Sequence, residues 1–390
     1  MKIKWLFLLL FNLVIMSIQA QSLQQSTIDS ISNKIWANIQ PDKQSNFFES
    51  KLLEDGSVSI VSTDQNAINL LKSQLPKGIN THEKLLPVAF ANGKNYGIVN
   101  LSVSNHRAAP AQRSELVTQA LLGTSVEILD TIDGYFICKT PDNYISYAEG
   151  AGIFPVTRAE QEKWNATPKI IYNEKYGTTY SESSKKSMPV SDLVAGDLLE
   201  YLGKKGKFYE VRYPDGKTAF VSKKEAMPYA KWLKTRKPDF DHVLASAESL
   251  LGTPYLWGGT STKGVDCSGF MRTSFFLNGI YLDRDASQQA LNGESIDIQV
   301  NGKVDLQKAI KTLQKGDLMF FGTKRKDGSD KVTHVAMYIG DGKYIQATGF
   351  VKISSLYPDA SDYDAYHGSQ FLSARRVFNK LGTKGLEYLK

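Results

Sequence analysis

Cys267 and His334 are the side chains of this 390-residue sequence best placed to do nucleophilic chemistry. Cys267 lies in Asp266-Cys267-Ser268-Gly269-Phe270. Phe270, Met271, Phe275 and Phe276 then follow at helical spacing as far as Asn278, and Gly279 is a natural stop. The thiol is thus predicted at the start of a buried helix. Free amides and the helix dipole there favour an anion, which lowers a thiol pKa and raises its thiolate fraction. A thiolate needs a base. Thr333-His334-Val335-Ala336-Met337-Tyr338-Ile339 reads as a strand, Gly340-Asp341-Gly342 as a turn, and Lys343 to Ala347 as the return strand. With 340–342 as the loop, position 334 pairs with 348, and Gln346 becomes its diagonal neighbour on one face. A two-residue loop would put 346 on the opposite face, so the pairing alone leaves both registers open. In the first register Gln346 orients the His334 ring, which completes a cysteine on a helix, a histidine on a strand and a polar orienter.

The other candidates are bland. Cys138 alternates with apolar residues in a strand and reads as core. A bridge from Cys138 to Cys267 would destroy the nucleophile. His82, His106, His242 and His367 lack metal-ligand spacing, since His82-Glu83 has no second histidine, and they read as surface or structural. No metal and no cofactor is expected.

Positioning these groups requires several elements. Lys2, Lys4, the apolar run Trp5 to Met16 and Ser17-Ile18-Gln19-Ala20 read as a secretory signal peptide over 1–20. Ile28, Ile31, Ile35, Trp36 and Ile39 predict a helix over 26–40 with Ser26 as N-cap. Residues 21–96 form a mixed helical and strand segment without chemistry. A repeat follows. Tyr135 to Asp142 matches Phe208 to Asp215, an offset of 208 − 135 = 73 residues. Strand, turn, strand, Pro-Asp turn, strand is the pattern of a small antiparallel barrel. Two such barrels are expected, over 97–160 and 161–228. A basic linker is expected over 229–239, and a further domain over 240–390.

Four motifs occur in order: Pro254-Tyr255-Leu256-Trp257-Gly258-Gly259, Asp266-Cys267-Ser268-Gly269, Lys315-Gly316-Asp317-Leu318-Met319-Phe320-Phe321 and His334-Val335-Ala336-Met337-Tyr338-Ile339-Gly340. Together they resemble the NlpC-type cysteine peptidases of bacterial cell walls, over about residues 240–378. The repeat resembles bacterial SH3-type domains. The whole is similar to the γ-D-glutamyl-L-diamino acid endopeptidases, also called dipeptidyl-peptidase VI, which act on wall peptides with a free N-terminal L-alanine. The resemblance implies an α+β fold: a papain-like NlpC catalytic domain, preceded by two small SH3-like barrels and an N-terminal mixed α/β segment. It implies Cys267 as nucleophile, His334 as base, Gln346 as third member and Tyr255 at the oxyanion. Asp266, Ser268 and Trp257 would meet substrate, and Asp285 and Ser287 would form a second wall of the pocket. Glu115 and Tyr144 of the first barrel would close it around the substrate amine.

Composition limits the alternatives. The net charge of +7, with 42% hydrophobic and 11% aromatic residues, excludes a disordered chain, and two cysteines exclude a disulfide scaffold. The charge excess is too diffuse to argue for nucleic acid. The expectation is an exported monomeric hydrolase of the periplasm or cell exterior, without stable membrane insertion, acting on peptidoglycan peptides of the form L-Ala-γ-D-Glu-diamino acid. Its rivals are a non-catalytic wall-peptide binder, which would show an ordinary thiol and no hydrolysis, and an amidase or acyltransferase of the same fold.

Overall fold

The computed structural model describes residues 23–39 and 44–389. The expected signal peptide lies outside them. The chain divides after Val88 into two compact units.

The first unit follows from two apolar periods. Ile28 and Ile35 recur on one face of the helix Gln25–Ile39, and Val58 and Ile60 alternate along the strand Val58–Ser62. All four are buried with Ala67, Ile68 and Leu71 of the helix Gln65–Gln74. The first helix begins at Gln25, so Ser26 sits in its first turn instead of capping it. The sheet runs Phe48–Leu52, Val58–Ser62, Thr81–Leu85, with the last pair parallel.

The second unit opens with two seven-stranded antiparallel sheets. The repeat read from eight residues runs through both. Tyr96–Val99, Ser125–Ile132, Tyr135–Lys139 and Ile145–Glu149 recur at the same offset as Lys169–Tyr172, Leu198–Lys205, Phe208–Arg212 and Thr218–Ser222. The irregularity recurs too, between Ile128 and Asp130 and between Tyr201 and Gly203. A bulge that bends each sheet at one place keeps two diverged sequences in one shape. Cys138 is buried in the first sheet's core beside Val99, Ile128 and Ala148, and both cysteines are free.

The linker expected over 229–239 is instead largely a helix, Tyr229–Thr235. Tyr229 and Trp232, three residues apart, stack at 5.7 Å, and Trp232 is buried while Lys231 and Lys234 stay exposed. The basic residues form the wet face of a helix with an aromatic inner face.

The rest of the unit is helix against sheet, and the fold as a whole is α+β. Helix α1 spans Cys267–Phe276. The sheet contains β1 (Leu318–Lys324), β2 (Asp330–Gly340), β3 (Lys343–Thr348), β4 (Phe350–Ser355) and β5 (Phe371–Arg376), ordered β5-β1-β2-β3-β4 and antiparallel, with the short strand Glu294–Ser295 outside β5. Alternation splits its two faces. Leu318, Phe320, Val335, Met337 and Ile345 pack with Phe270, Met271 and Phe275 of α1. Met319, Phe321, Ala336, Tyr338 and Tyr344 form the core on the other face. Roughly 1.5–3 kcal/mol per fully buried side chain of this size makes the α1 seam a main support of the nucleophile's position.

Candidate active site

Asp266 ends the approach to α1 in extended backbone, and its carboxylate accepts from the Gly269 amide at 2.7 Å. This cap places Cys267 at the first helical position. The thiol is buried and lies against β2, with Sγ 4.0 Å from the Thr333 carbonyl oxygen. Thr333 is the extra residue of a bulge: Phe321 pairs with His334 but Gly322 with Val332. A Cβ at Gly322 would lie 2.0 Å from the Lys331 carbonyl oxygen, so the bulge requires glycine there.

The β2–β3 hairpin resolves the open register. Asp341 and Gly342, both at positive φ, make a two-residue turn. By itself that turn would put Gln346 on the wrong face. A one-residue bulge at Ile339 restores parity, because Tyr338 pairs with Tyr344 and Met337 with Ile345. Continued, that register makes Gln346 the diagonal neighbour of His334. The His334 Nε2 to Gln346 Oε1 distance is 2.7 Å.

Burial reverses the expected electrostatics of the thiol. Desolvation, then the Asp266 charge, push it up to about 12, against the pull of the Val335 and Ser268 amides. A helix start closed off from water disfavours the thiolate more than its amides and dipole favour it. Desolvation and the neighbouring His367 push His334 down to about 3. The resting pair is therefore neutral thiol and neutral imidazole. Tyr255 packs beside the thiol's cluster. Burial first, and then the neighbouring Cys267 and Asp266 side chains, raise its pKa, so its hydroxyl stays a proton donor.

Asp266 and Ser268, expected to meet a substrate amine, are committed elsewhere. Arg284 Nη1 and Nη2 donate to the two Asp266 carboxylate oxygens at 3.2 and 2.6 Å. Ser268 Oγ donates to Asp266 at 3.1 Å and accepts from Arg284 at 3.0 Å. A carboxylate this deep needs a permanent partner, and Arg284 supplies it. Arg284 also reaches the first barrel, donating to Thr118 Oγ1 and the Val117 carbonyl, each at 3.1 Å.

The same barrel contributes to the rim. Trp257, 60% exposed, donates from Nε1 to Glu115 at 2.7 Å. Tyr144 is partly buried; desolvation, then the carboxylates of Asp285, Asp142 and Glu115, raise its pKa against the opposing charge of Arg284. The structure thus brings Tyr144, Glu115, Asp285 and Trp257 together. Ser287 is not among them: it is exposed, and Ala286 is the residue that turns inward to the cluster around Cys267. Asp142 anchors the Tyr144 loop by a buried ion pair with Arg272.

Sequence reasoning left three groups unassigned. Arg284 was visible beside Asp285 but carried no role. Asp364 had no signal, lying 18 residues beyond Gln346. His367, read as surface or structural, stacks on His334 with ring centroids 4.0 Å apart. Among the described residues no group of side chains could hold a metal ion.

A helix-borne thiol that lies against the strand carrying an imidazole, with Sγ 4.0 Å from the carbonyl of the residue before it, in an α+β frame of this kind, is the arrangement of a papain-like hydrolase. The comparisons with known proteins specify it further. Residues 252–369 match the NlpC/P60 family, and residues 106–153 match the bacterial dipeptidyl-peptidase Sh3 domain. A gamma-D-glutamyl-L-lysine dipeptidyl-peptidase of Bacillus cereus is 31% identical over 253 residues, which are 60% of this chain and 68% of that protein. A dipeptidyl-peptidase 6 of Lysinibacillus sphaericus is 25% identical over 257 residues, 64% of this chain and 87% of that protein. The crystal structure of an NlpC/P60 family protein from Bacillus cereus superimposes with a TM-score of 0.59 at 25% identity, covering 72% of this chain and 99% of that one. The chain belongs to the NlpC/P60 family, and its curated relatives are named as peptidases and hydrolases.

Proposed function

We propose that the protein is an exported cysteine peptidase that cleaves the γ-D-Glu–diamino acid bond of peptidoglycan-derived peptides with a free N-terminal L-alanine. The bond is that of the substrates for which its relatives are named. In this reading the chain carries two SH3-type barrels, over 97–160 and 161–228, ahead of a peptidase domain. No helix among the described residues is long and apolar enough to cross a membrane.

The observation that carries the mechanism is the His334–Gln346 hydrogen bond on the strand against which the buried thiol of the helix start lies. With Nε2 engaged by Gln346, Nδ1 is the nitrogen left to take the Cys267 proton. Sulfur then attacks the γ-amide carbonyl. Charge develops on the carbonyl oxygen where first-turn amides and the Tyr255 hydroxyl can donate to it. The imidazolium protonates the leaving amine, which departs with the diamino acid. His334 next deprotonates a water, and that water releases the L-Ala-γ-D-Glu product from sulfur. Since the resting pair is neutral, its ion pair forms only as the reaction proceeds.

The specificity reading rests on the rim. In this reading Asp285, Glu115 and Tyr144 offer two carboxylates and a hydroxyl to the substrate ammonium, while Asp266 and Ser268 support the pocket through Arg284. An acetylated alanine brings no charge and adds bulk, so a site built around a polar partner rejects it. The test compares kcat/KM for L-Ala-γ-D-Glu-L-Lys and its N-acetyl form, with products identified by mass. A loss of at least a hundredfold on acetylation is expected. Comparable values would remove the amine pocket, and cleavage at another bond would favour the amidase or acyltransferase reading.

A further inference from the structure

Gln346 sits between two groups. Its Oε1 meets His334 Nε2 at 2.7 Å, while its Nε2 donates to Ser354 Oγ at 2.9 Å and to Asp364 Oδ2 at 3.0 Å. An amide can turn over and exchange these atoms, and a neutral imidazole can carry its proton on either nitrogen. Ser354 tolerates both arrangements, since a hydroxyl donates or accepts. His334 tolerates both by changing tautomer. Asp364 does not: an ionised carboxylate only accepts. It is held ionised by His367, whose Nδ1 donates at 3.0 Å and whose backbone amide donates at 3.2 Å, with Lys352 Nζ at 3.9 Å.

We infer that Asp364 is a positioning residue that fixes the His334 tautomer through Gln346. The carboxylate requires Gln346 Nε2 to face it. Oε1 must then face His334, Nε2 of the ring must carry the proton, and Nδ1 is left as the base. A neutral glutamine thereby transmits the effect of a charge it does not have. The inference rests on the peptidase reading for its kinetic consequence, but not for the tautomer itself.

The variant is Asp364→Asn. Asparagine has the same size and still caps the short helix Ala365–Gly368 by accepting from the His367 amide, but it is no longer an obligate acceptor. The full chain labelled with 15N-histidine is the sample, and imidazole nitrogen shifts are the first readout. The wild type should show His334 protonated on Nε2 alone, and Asp364→Asn a mixture of tautomers. On the free-amine tripeptide, Asp364→Asn should lower kcat by roughly 10–100-fold with KM within about twofold, the range seen when an orienting partner is lost. In a Gln346→Ala background it should cost no more than about twofold further, because its effect passes through that amide. A wild-type Nδ1–H tautomer, an unmixed tautomer in Asp364→Asn, or independent losses in the double variant would overturn the inference. A wild type inactive on every γ-D-glutamyl peptide would sink the substrate reading, and the tautomer measurement would still decide the role of Asp364.

Discussion

Arg284→Met removes the guanidinium that connects the nucleophile's cap to the first barrel. Both partners of its ion pair are deep, with side-chain exposures of 2% for Arg284 and 10% for Asp266. Deleting one member of a buried pair leaves the other charged and unpaired, which costs about 3–5 kcal/mol. Bonds to Ser268, Thr118 and Val117 are lost with it, so the upper part of that range is expected. Arg284→Lys should recover only part of the loss, because one ammonium cannot span a bidentate carboxylate and two barrel acceptors. A second effect falls on the thiol. The Asp266 charge raises its pKa and Arg284 opposes that, so the variant should ionise Cys267 less readily. Urea unfolding measures the first effect. The rate of iodoacetamide addition at Cys267, resolved from Cys138 by peptide mass, measures the second. A destabilisation below about 1 kcal/mol, or faster alkylation, would refute the reasoning.

Three further outcomes follow from the site. With His334 pushed down to about 3 and the thiol up to about 12, protonating the imidazole or ionising the thiol lies outside the working range; kcat/KM should be flat between about pH 5 and 7 and fall only near pH ~8, where the substrate's own α-amine loses its proton, and an inflection near 6.5 would show a solvated His334. Cys267→Ala should abolish hydrolysis with the fold intact, whereas Cys138→Ala should keep activity and lose only packing, since Cys138 is a fully buried core thiol; assay and thermal melting separate the two. Asp142→Ala should release the loop that carries Tyr144 and raise KM for the free-amine peptide more than it lowers kcat, as Asp142 is bonded to Arg272 and Thr140 and not to the thiol; an unchanged KM would remove Tyr144 from the pocket.

Local pattern made much of this molecule legible. Apolar spacing alone placed α1. The 73-residue repeat was visible in eight residues because matching strands and Pro-Asp turns are local features. The NlpC-type motifs, each a short run, carried the family. What the sequence could not decide were quantities that depend on distant parts of the chain. The Asp341-Gly342 turn and the Ile339 bulge have opposite effects on the face of Gln346, and only the paired strand shows that they cancel. The thiol's pKa reversed because desolvation is set by what packs over a helix start, not by the helix. The resemblance assigned Asp266 to substrate, and its partner Arg284 could not be read locally because it lies 18 residues away and in turn touches a barrel more than 160 residues back in the chain. Asp364 and His367 reach His334 only through the fold of the sheet and the short helix beyond it. Charge pairing, burial and tautomer are properties of neighbours in space, and for these residues only the tertiary structure supplied the neighbours.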